Sequence, residues 1–175
     1  TMPFKKAGDP VYVIGATKDE LGASEYFRML AEDQGSPENY GGDVPKLDVS
    51  LALSIYRAMG EATAAGLLHS SHTPTLGGLA VAFALAAAGG DLGAEIWTEH
   101  GARNTEDGML FSESNSRFVV TCAPEKAVEL EKLLRGLPCE KVGVVTQERI
   151  LKIGGVVEVN IEDLRNAFRK TLYGI

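Results

Sequence analysis

The chain has 175 residues, of which 45% are hydrophobic and 23% are charged, and its formal net charge is −7. These values fit one globular domain with a substantial core. The acidic balance argues against a nucleic-acid partner, which would require a basic surface, and the longest apolar run, 77–90, is too short to cross a bilayer.

Two cysteines, Cys122 and Cys139, lie far apart in apolar, strand-like surroundings. We expect both to be reduced thiols of the core, because no Cys-x-x-Cys motif or Cys/His cluster offers a zinc site. The first residues lack the apolar run of a signal peptide, so we expect a cytoplasmic protein without a membrane partner.

The chain begins with a strand and a short helix. Residues 10–15 are rich in β-branched side chains and predict a buried strand that ends at a glycine. A loop over 16–24 leads into a short helix over 24–31. The glycine- and proline-rich residues 34–45 predict a second loop.

Two further helices flank a second strand. The helix over 48–66 has Asp48 as its N-cap, Gly66 as its C-cap and an apolar stripe of Leu51, Ile55, Met59 and Ala62. Residues 67–71 predict a strand. The helix over 78–88 is apolar nearly all round, so we expect it to be buried on most faces and to end at the glycine pair that follows.

Strands dominate the second half of the chain. We predict strands over 92–98 and 117–122, separated by a polar loop over 99–108. A helix begins near Pro124, with an apolar face of Val128, Leu130, Leu133 and Leu134.

The C-terminal part predicts a strand pair, a short strand and a last helix. Residues 141–146 and 149–153 are joined by a tight connection, and 156–159 form the short strand. Asn160 and Asp163 form a capping signal for a helix with a stripe of Ile161, Leu164, Phe168 and Leu172. The mixture of elements predicts an α+β fold, with a mixed β-sheet of about five strands covered by helices.

The glycine pair Gly77–Gly78 opens the third helix and follows His72. The first amides of a helix lack intrahelical partners and attract anions, so the pair is a candidate phosphate site. Tight packing of the helix on the sheet would need glycine equally. His72 is a candidate for phosphate binding or proton transfer, although a single histidine is more often structural.

A second candidate site lies in the polar stretch 111–117, just before a strand. It contains a carboxylate, three hydroxyls and a guanidinium: Ser112, Glu113, Ser114, Ser116 and Arg117. A carboxylate with hydroxyls suits magnesium, and arginine suits phosphate. Alternatively, Glu113 and Arg117 pair internally and close a turn.

The first loop, 15–26, carries acids and glycines at the end of a buried strand, where ligands often bind, or it is a solvated turn. The chain contains no Walker loop, Rossmann fingerprint, nucleophile elbow or metalloprotease helix. We therefore assign no catalytic residue and no metal site.

Taken together, these segments resemble the C-terminal domains in the synthetase subunits of the phosphoribosylformylglycinamidine synthase family. The resemblance begins with GDPVYVIGATKDELGASEY at 8–26 and continues through the 48–66 helix. It includes the histidine, glycine pair and LAVA of 72–82, then LGAEI and FSESNSRFVV. It ends with KIGGVVEVNIEDL, so it covers nearly the whole chain.

The resemblance implies the α+β fold of AIR synthase-related C-terminal domains over 10–175, with 1–9 as an arm or linker. It implies an ATP- and glutamine-dependent ligase of purine biosynthesis, which makes formylglycinamidine ribonucleotide. ATP and Mg²⁺ would be bound mostly by an N-terminal synthetase half. The implied partners are that half, a glutaminase subunit and a small accessory subunit, and pairing of related domains adds a homodimer of this chain as an alternative. We expect the isolated domain to be inactive.

One departure from the family pattern concerns the first candidate site. Thr73 stands where relatives carry an aspartate, and Thr75 stands where they carry a serine. Threonine cannot carry the negative charge, which points to a structural or modified half. The alternatives are a domain of another superfamily member, such as aminoimidazole ribonucleotide synthetase or thiamine-monophosphate kinase, or a non-catalytic docking half.

Overall fold

A computed structural model describes residues 1–36, 41–97 and 106–173. The strands are β1 Pro10–Ile14, β2 Leu68–His72, β3 Gly93–Ile96, β4 Phe118–Cys122, β5 Cys139–Thr146, β6 Ile150–Ile153 and β7 Val157–Asn160. The helices are α1 Glu25–Asp33, α2 Val49–Ala64, α3 Gly78–Gly90, α4 Glu106–Phe111, α5 Ala127–Leu133 and α6 Ile161–Tyr173. The predicted loop 34–45, strand 92–98 and loop 99–108 lie partly outside the described residues.

The strands form one mixed sheet in the order β2-β4-β1-β5-β3-β6-β7. Neighbouring strands are antiparallel except for β3 and β6, which are parallel. The α+β prediction is confirmed, with seven strands in the described part of the chain rather than about five.

The predicted direct pairing of 141–146 with 149–153 is wrong, because β3 lies between β5 and β6. The connection crosses the start of β3, where a Cβ on Gly93 would lie 2.0 Å from the Glu148 carbonyl oxygen. Two inter-strand spacings amount to about 9.6 Å, a span that three extended residues can cover. Glycine at position 93 therefore permits this crossing.

The sheet carries an apolar core on each face. On one face, α3 and α6 contribute Leu79, Phe83 and Ile161 to a core that includes Val11 and Ile96. On the other face, α2 and α5 pack against β1 and β4 through a core that contains Ile55, Met59, Leu130, Tyr12 and Val120. Free Cys122 is buried and free Cys139 is half-buried against this second core.

The start of α2 is confirmed and its end is shifted by one residue. The Asp48 side chain accepts a hydrogen bond from the Leu51 amide, 3.0 Å away. The C-cap is Ala65, and Gly66 follows it with a φ of +63°. The predicted C-cap glycine therefore takes the left-handed position just beyond the helix, where the absence of a Cβ is favourable.

The structure corrects the predicted end of α3 and bears out its predicted burial. The helix includes Gly89 and Gly90 and ends at Asp91, because these glycines serve packing rather than termination. A Cβ on Gly90 would lie 2.3 Å from the Phe4 carbonyl oxygen. The prediction that the helix is buried on most faces is confirmed, since only Val81 and Gly89 of its residues are exposed and Ala80 and Ala84 also pack against the core.

Three smaller predictions were wrong. Residues 106–108 begin α4 instead of continuing a loop. Val128 is 76% exposed, because the short α5 turns Leu130 to the core instead. Phe168 is 52% exposed, since α6 packs on the sheet mainly through Ile161 and Leu164. The side chain of Leu172 lies outside the described part.

Residues 1–9 form no helix or strand but pack closely on the domain. Phe4 is buried in the core beside α3, and its amide donates to the Ala86 carbonyl at 3.0 Å. Asp9 is also buried. Among the described helices, none combines the length and apolar character needed to span a bilayer.

Candidate functional site

The glycine pair permits close packing at the start of α3. Gly77 is the N-cap with a φ of +78°, and Gly78 has a φ of +64°. A Cβ on Gly78 would lie 2.5 Å from the Ser112 carbonyl oxygen and 2.8 Å from that of Leu110. Main-chain oxygens cannot move aside as a flexible side chain can. The packing explanation for this glycine is therefore sufficient.

Glu113 links the beginnings of two helices. Its Oε1 accepts hydrogen bonds from the Gly77 amide at 2.9 Å and from the Glu25 amide at 3.0 Å. Gly77 precedes α3, and Glu25 is the first residue of α1. A carboxylate is favourable at the positive end of a helix. At the Gly77 amide, the predicted place of a ligand anion is taken by the protein's own carboxylate.

Arg117 is buried, with 1% of its surface exposed. Its Nε donates to the Ser114 carbonyl at 3.0 Å, Nη1 to Thr17 Oγ1 at 3.2 Å, and Nη2 to the Ser112 carbonyl. Burial lowers the pKa of the guanidinium to about 10, while the charges of Glu20 and Glu113 act in the opposite direction. Arginine here fixes the main chain of its own loop.

No Glu113–Arg117 ion pair occurs among the described contacts, so the predicted internal pair is replaced by separate networks. Ser114 Oγ accepts from the Lys18 amide at 3.1 Å, and Ser116 Oγ lies 3.0 Å from the Tyr56 hydroxyl. Within the described structure, the buried Ser112 Oγ has no hydrogen-bond partner.

The candidate residue His72 is the last residue of the edge strand β2 and is half-buried. Burial lowers its pKa below the usual 6.5, which favours the neutral imidazole. Thr73 and Thr75 are exposed beyond it. The Thr75 carbonyl accepts from the Gly78 amide at 3.1 Å, so this stretch forms the turn into α3.

Sequence reasoning missed a histidine–carboxylate pair on the same strand. His69 Nδ1 lies 2.7 Å from Oδ2 of the buried Asp9. The register of β2 on β4 shifts between Leu68 and Ser70, so His69 sits at an irregularity that redirects its side chain. No sequence spacing signals this pair, since 60 residues separate its members.

A cavity of about 360 Å³ opens between the start of α3 and the sheet. Its apolar wall includes Val13, Leu79, Phe83, Ile96 and Val142, and its rim includes Gly15, Thr17 and Cys139. The predicted first loop therefore reaches a cavity. The eight other candidate residues do not line it.

Residues 112–117, which we call the clamp, hold two walls of this cavity in place. Arg117 fixes Thr17, and a Cβ on Gly15 would lie 2.4 Å from the Ser116 carbonyl oxygen. Glu113 fixes the start of α3, from which Leu79 and Phe83 project. The arrangement can bind an apolar ring or sugar against Phe83, with the Thr17 hydroxyl at the rim.

A comparison of the sequence with protein families decides the family. The profile of "AIR synthase related protein, C-terminal domain" matches residues 6–155. The chain belongs to this family. The AIR synthase-related domain identified from the sequence resemblance is thereby confirmed.

Sequence relatives of the chain include phosphoribosylformylglycinamidine synthase subunits PurL. The subunit of Alkaliphilus metalliredigens is 36% identical over 177 residues, which cover 98% of this chain and 23% of that protein. The subunit of Beijerinckia indica is also 36% identical, over 98% of this chain and 22% of that protein. The AIR synthase-related chain thus spans less than a quarter of the length of these relatives.

Solved structures confirm the fold. The chain aligns with Thermotoga maritima PurL complexed with FGAR at a TM-score of 0.72 and 21% identity, covering 93% of this chain and 28% of that one. It aligns with the hydrogenase maturation protein HypE at a TM-score of 0.61 and 17% identity, covering 92% of this chain and 54% of that one. The same architecture therefore occurs in proteins with different names and roles.

Proposed function

We propose that this chain is a domain of the synthetase subunit of phosphoribosylformylglycinamidine synthase. That ligase uses ATP and glutamine to convert formylglycinamide ribonucleotide to the amidine in purine biosynthesis. The observation that carries the proposal is the 36% identity to PurL over 98% of the chain. Solved complexes of T. maritima PurL with FGAR and with ATP give it further support.

In this proposal, residues 10–175 are the domain and residues 1–9 are an arm packed on it. The partners are an N-terminal synthetase half, a glutaminase subunit and a small accessory subunit, and the location is the cytoplasm. A T. maritima assembly named PurLQS supports a multi-subunit setting. We expect the 175-residue chain alone to have no turnover, because it lacks three quarters of its relatives' length.

ATP and Mg²⁺ do not fit the polar residues of the clamp. No group of three or more His, Cys, Asp or Glu residues in the described part is placed to hold a metal. The Glu113 carboxylate already accepts two amides, and Arg117 binds oxygens of its own loop. We propose that other domains of the longer protein bind the triphosphate and its cation.

For the ribonucleotide substrate, we propose a contact in the cavity beside Phe83. The apolar wall suits a neutral sugar or glycinamide portion, and the Thr17 hydroxyl can donate to it. Of the eight candidate residues, Gly77, Gly78, Ser112, Glu113, Ser114 and Arg117 are proposed to support this cavity. His72 and Ser116 are proposed to meet ligand or a neighbouring domain, since both are partly accessible.

A chimera tests the proposal. The segment of A. metalliredigens PurL that aligns with this chain is replaced by the 175 residues. We expect ATP- and glutamine-dependent formation of formylglycinamidine ribonucleotide from the chimera and none from the isolated chain. Turnover by the isolated chain, or a folded chimera without turnover, would contradict the proposal.

Two observations favour a second candidate function, a non-catalytic half that supports the fold of a neighbour. The clamp satisfies its own charges internally, and Thr73 offers no acid at the turn into α3. In that case the chimera still binds substrate at its other sites. Its turnover then stays unchanged when His72 or Thr17 is replaced by alanine. A drop in turnover for those variants favours the ligand-binding role.

A further inference from the structure

The helix α2 has a second apolar stripe besides the one that faces the core. The stripe consists of Val49, Leu53, Tyr56 and Gly60, spaced by four, three and four residues. This spacing is that of a helix-packing seam. It lies about a third of a turn from the core stripe of Ile55 and its neighbours, because each residue advances the helix by about 100°.

The side chains of this seam are open to solvent. Val49 is 60% exposed, Leu53 is 49% exposed and Tyr56 is 48% exposed. A Cβ on Gly60 would meet nothing within 4 Å. Val44 and Leu47, at 50% and 55% exposure, extend the apolar surface beyond the start of the helix. Exposed apolar side chains grouped along one face of a helix are typical of a site of protein contact.

The seam adjoins the clamp. The Tyr56 hydroxyl lies 3.0 Å from Ser116 Oγ, and its ring meets Phe118 edge-on with centroids 6.0 Å apart. An element that covers the seam therefore lies directly beside residues 112–117. The glycine at position 60 allows the backbone of such an element to approach closely.

We propose that the seam docks an apolar helix of another domain in a longer PurL-like polypeptide. This inference rests on the proposed function only in placing the chain within that polypeptide. The chain spans 23% of a PurL relative, so most of the domain contacts of such a protein lie outside it. The regular spacing indicates a helix as the occupant, and the absence of charge in the seam indicates an apolar one.

Footprinting with a carbene reagent tests the inference on the isolated chain and on the A. metalliredigens chimera. We expect labelling of Leu53 and Tyr56 to fall at least fivefold in the chimera, while Val128, 76% exposed on α5, serves as an internal reference. Sedimentation velocity at the labelling concentration tests whether the isolated chain is monomeric. If the chimera fails to fold, the aligned helix of intact A. metalliredigens PurL is footprinted instead.

Paired variants provide the control. We expect Leu53→Asp to lower the unfolding midpoint of the chimera by more than that of the isolated chain, whereas Val128→Asp shifts both equally. Unchanged labelling in the chimera would overturn the inference. Self-association of the isolated chain that Leu53→Asp abolishes would also overturn it, because the occupant would then be a second copy. An active chimera with an open seam refutes this inference alone, and an inactive chimera with a covered seam refutes the proposed function alone.

Discussion

Removal of the Glu113 carboxylate is the sharpest test of how the clamp holds the domain together. Glu113 accepts the amides of Gly77 and Glu25, which begin different helices. Glu113→Ala leaves both amides without their acceptor. Glu113→Gln keeps an oxygen of the same reach but removes the charge.

The size of the effect follows from these two hydrogen bonds. A bond to a charged group contributes about 1.5–3 kcal/mol, so two give an upper bound of about 3–6 kcal/mol. Because Glu113 is half-buried, water can replace part of the loss, and we expect about 3 kcal/mol for alanine. Neutral bonds are about half as strong, so glutamine costs about 1.5 kcal/mol.

Thermal unfolding followed by circular dichroism measures both variants. For a chain of this size, about 2–4 °C corresponds to 1 kcal/mol, so Glu113→Ala lowers the midpoint by about 6–12 °C and Glu113→Gln by about 3–6 °C. Glu61→Ala, on the exposed side of α2, is the matched control and stays within about 0.5 kcal/mol of the parent. If Glu113→Ala and Glu61→Ala unfold together, the double-capping role is refuted.

Three further predictions use other parts of the molecule. Gly78→Ala destabilises the fold by more than about 2 kcal/mol, because the added Cβ meets main-chain oxygens. Gly60→Ala, in an open helix position, stabilises the fold by about 0.5–1 kcal/mol. Equal denaturant midpoints for the two variants would contradict this prediction. Burial raises the pKa of the Cys122 and Cys139 thiols to about 11, so iodoacetamide at about pH 8 alkylates the native chain far more slowly than the unfolded chain. Ribonucleotide in the cavity of the chimera slows Cys139 further, and an unchanged rate there argues against the proposed contact. The pKa of His72 in the folded state lies below its unfolded value, so its stability contribution is present above about pH 6.5 and is lost as pH falls. We expect His72→Gln to reduce this loss of stability at acid pH. An unaltered slope of the unfolding midpoint against pH would refute the prediction.

Local patterns in the sequence were sufficient for most elements but not for their pairing. Asp48 and the stripe around Ile55 placed α2 correctly, because capping and periodicity are local signals. The pairing of β5 with β3 depends on the crossing at Gly93, and nothing near Gln147 distinguishes that crossing from a hairpin. Glycines 89 and 90 were misinterpreted for the same reason, since the residues they pack against, Pro3 and Phe4, are distant in sequence.

The candidate site was predictable in composition but not in its bonding. The residues around Glu113 stood out because an acid, hydroxyls and an arginine are dense there. Their sequence could not show that the Glu113 carboxylate would accept a hydrogen bond from the Glu25 amide, 88 residues away. Nor could it show that Arg117 would be buried. The cavity and the His69–Asp9 pair also form between distant segments, so no spacing rule reveals them.

We propose this AIR synthase-related chain to be a domain of a formylglycinamidine ribonucleotide synthetase. The most direct measurement is turnover by A. metalliredigens PurL in which this chain replaces its aligned segment, with glutaminase and accessory subunits supplied. We predict ATP- and glutamine-dependent product from the chimera and none from the isolated chain. A chimera that is folded and assembled with its partners but forms no product would contradict the account.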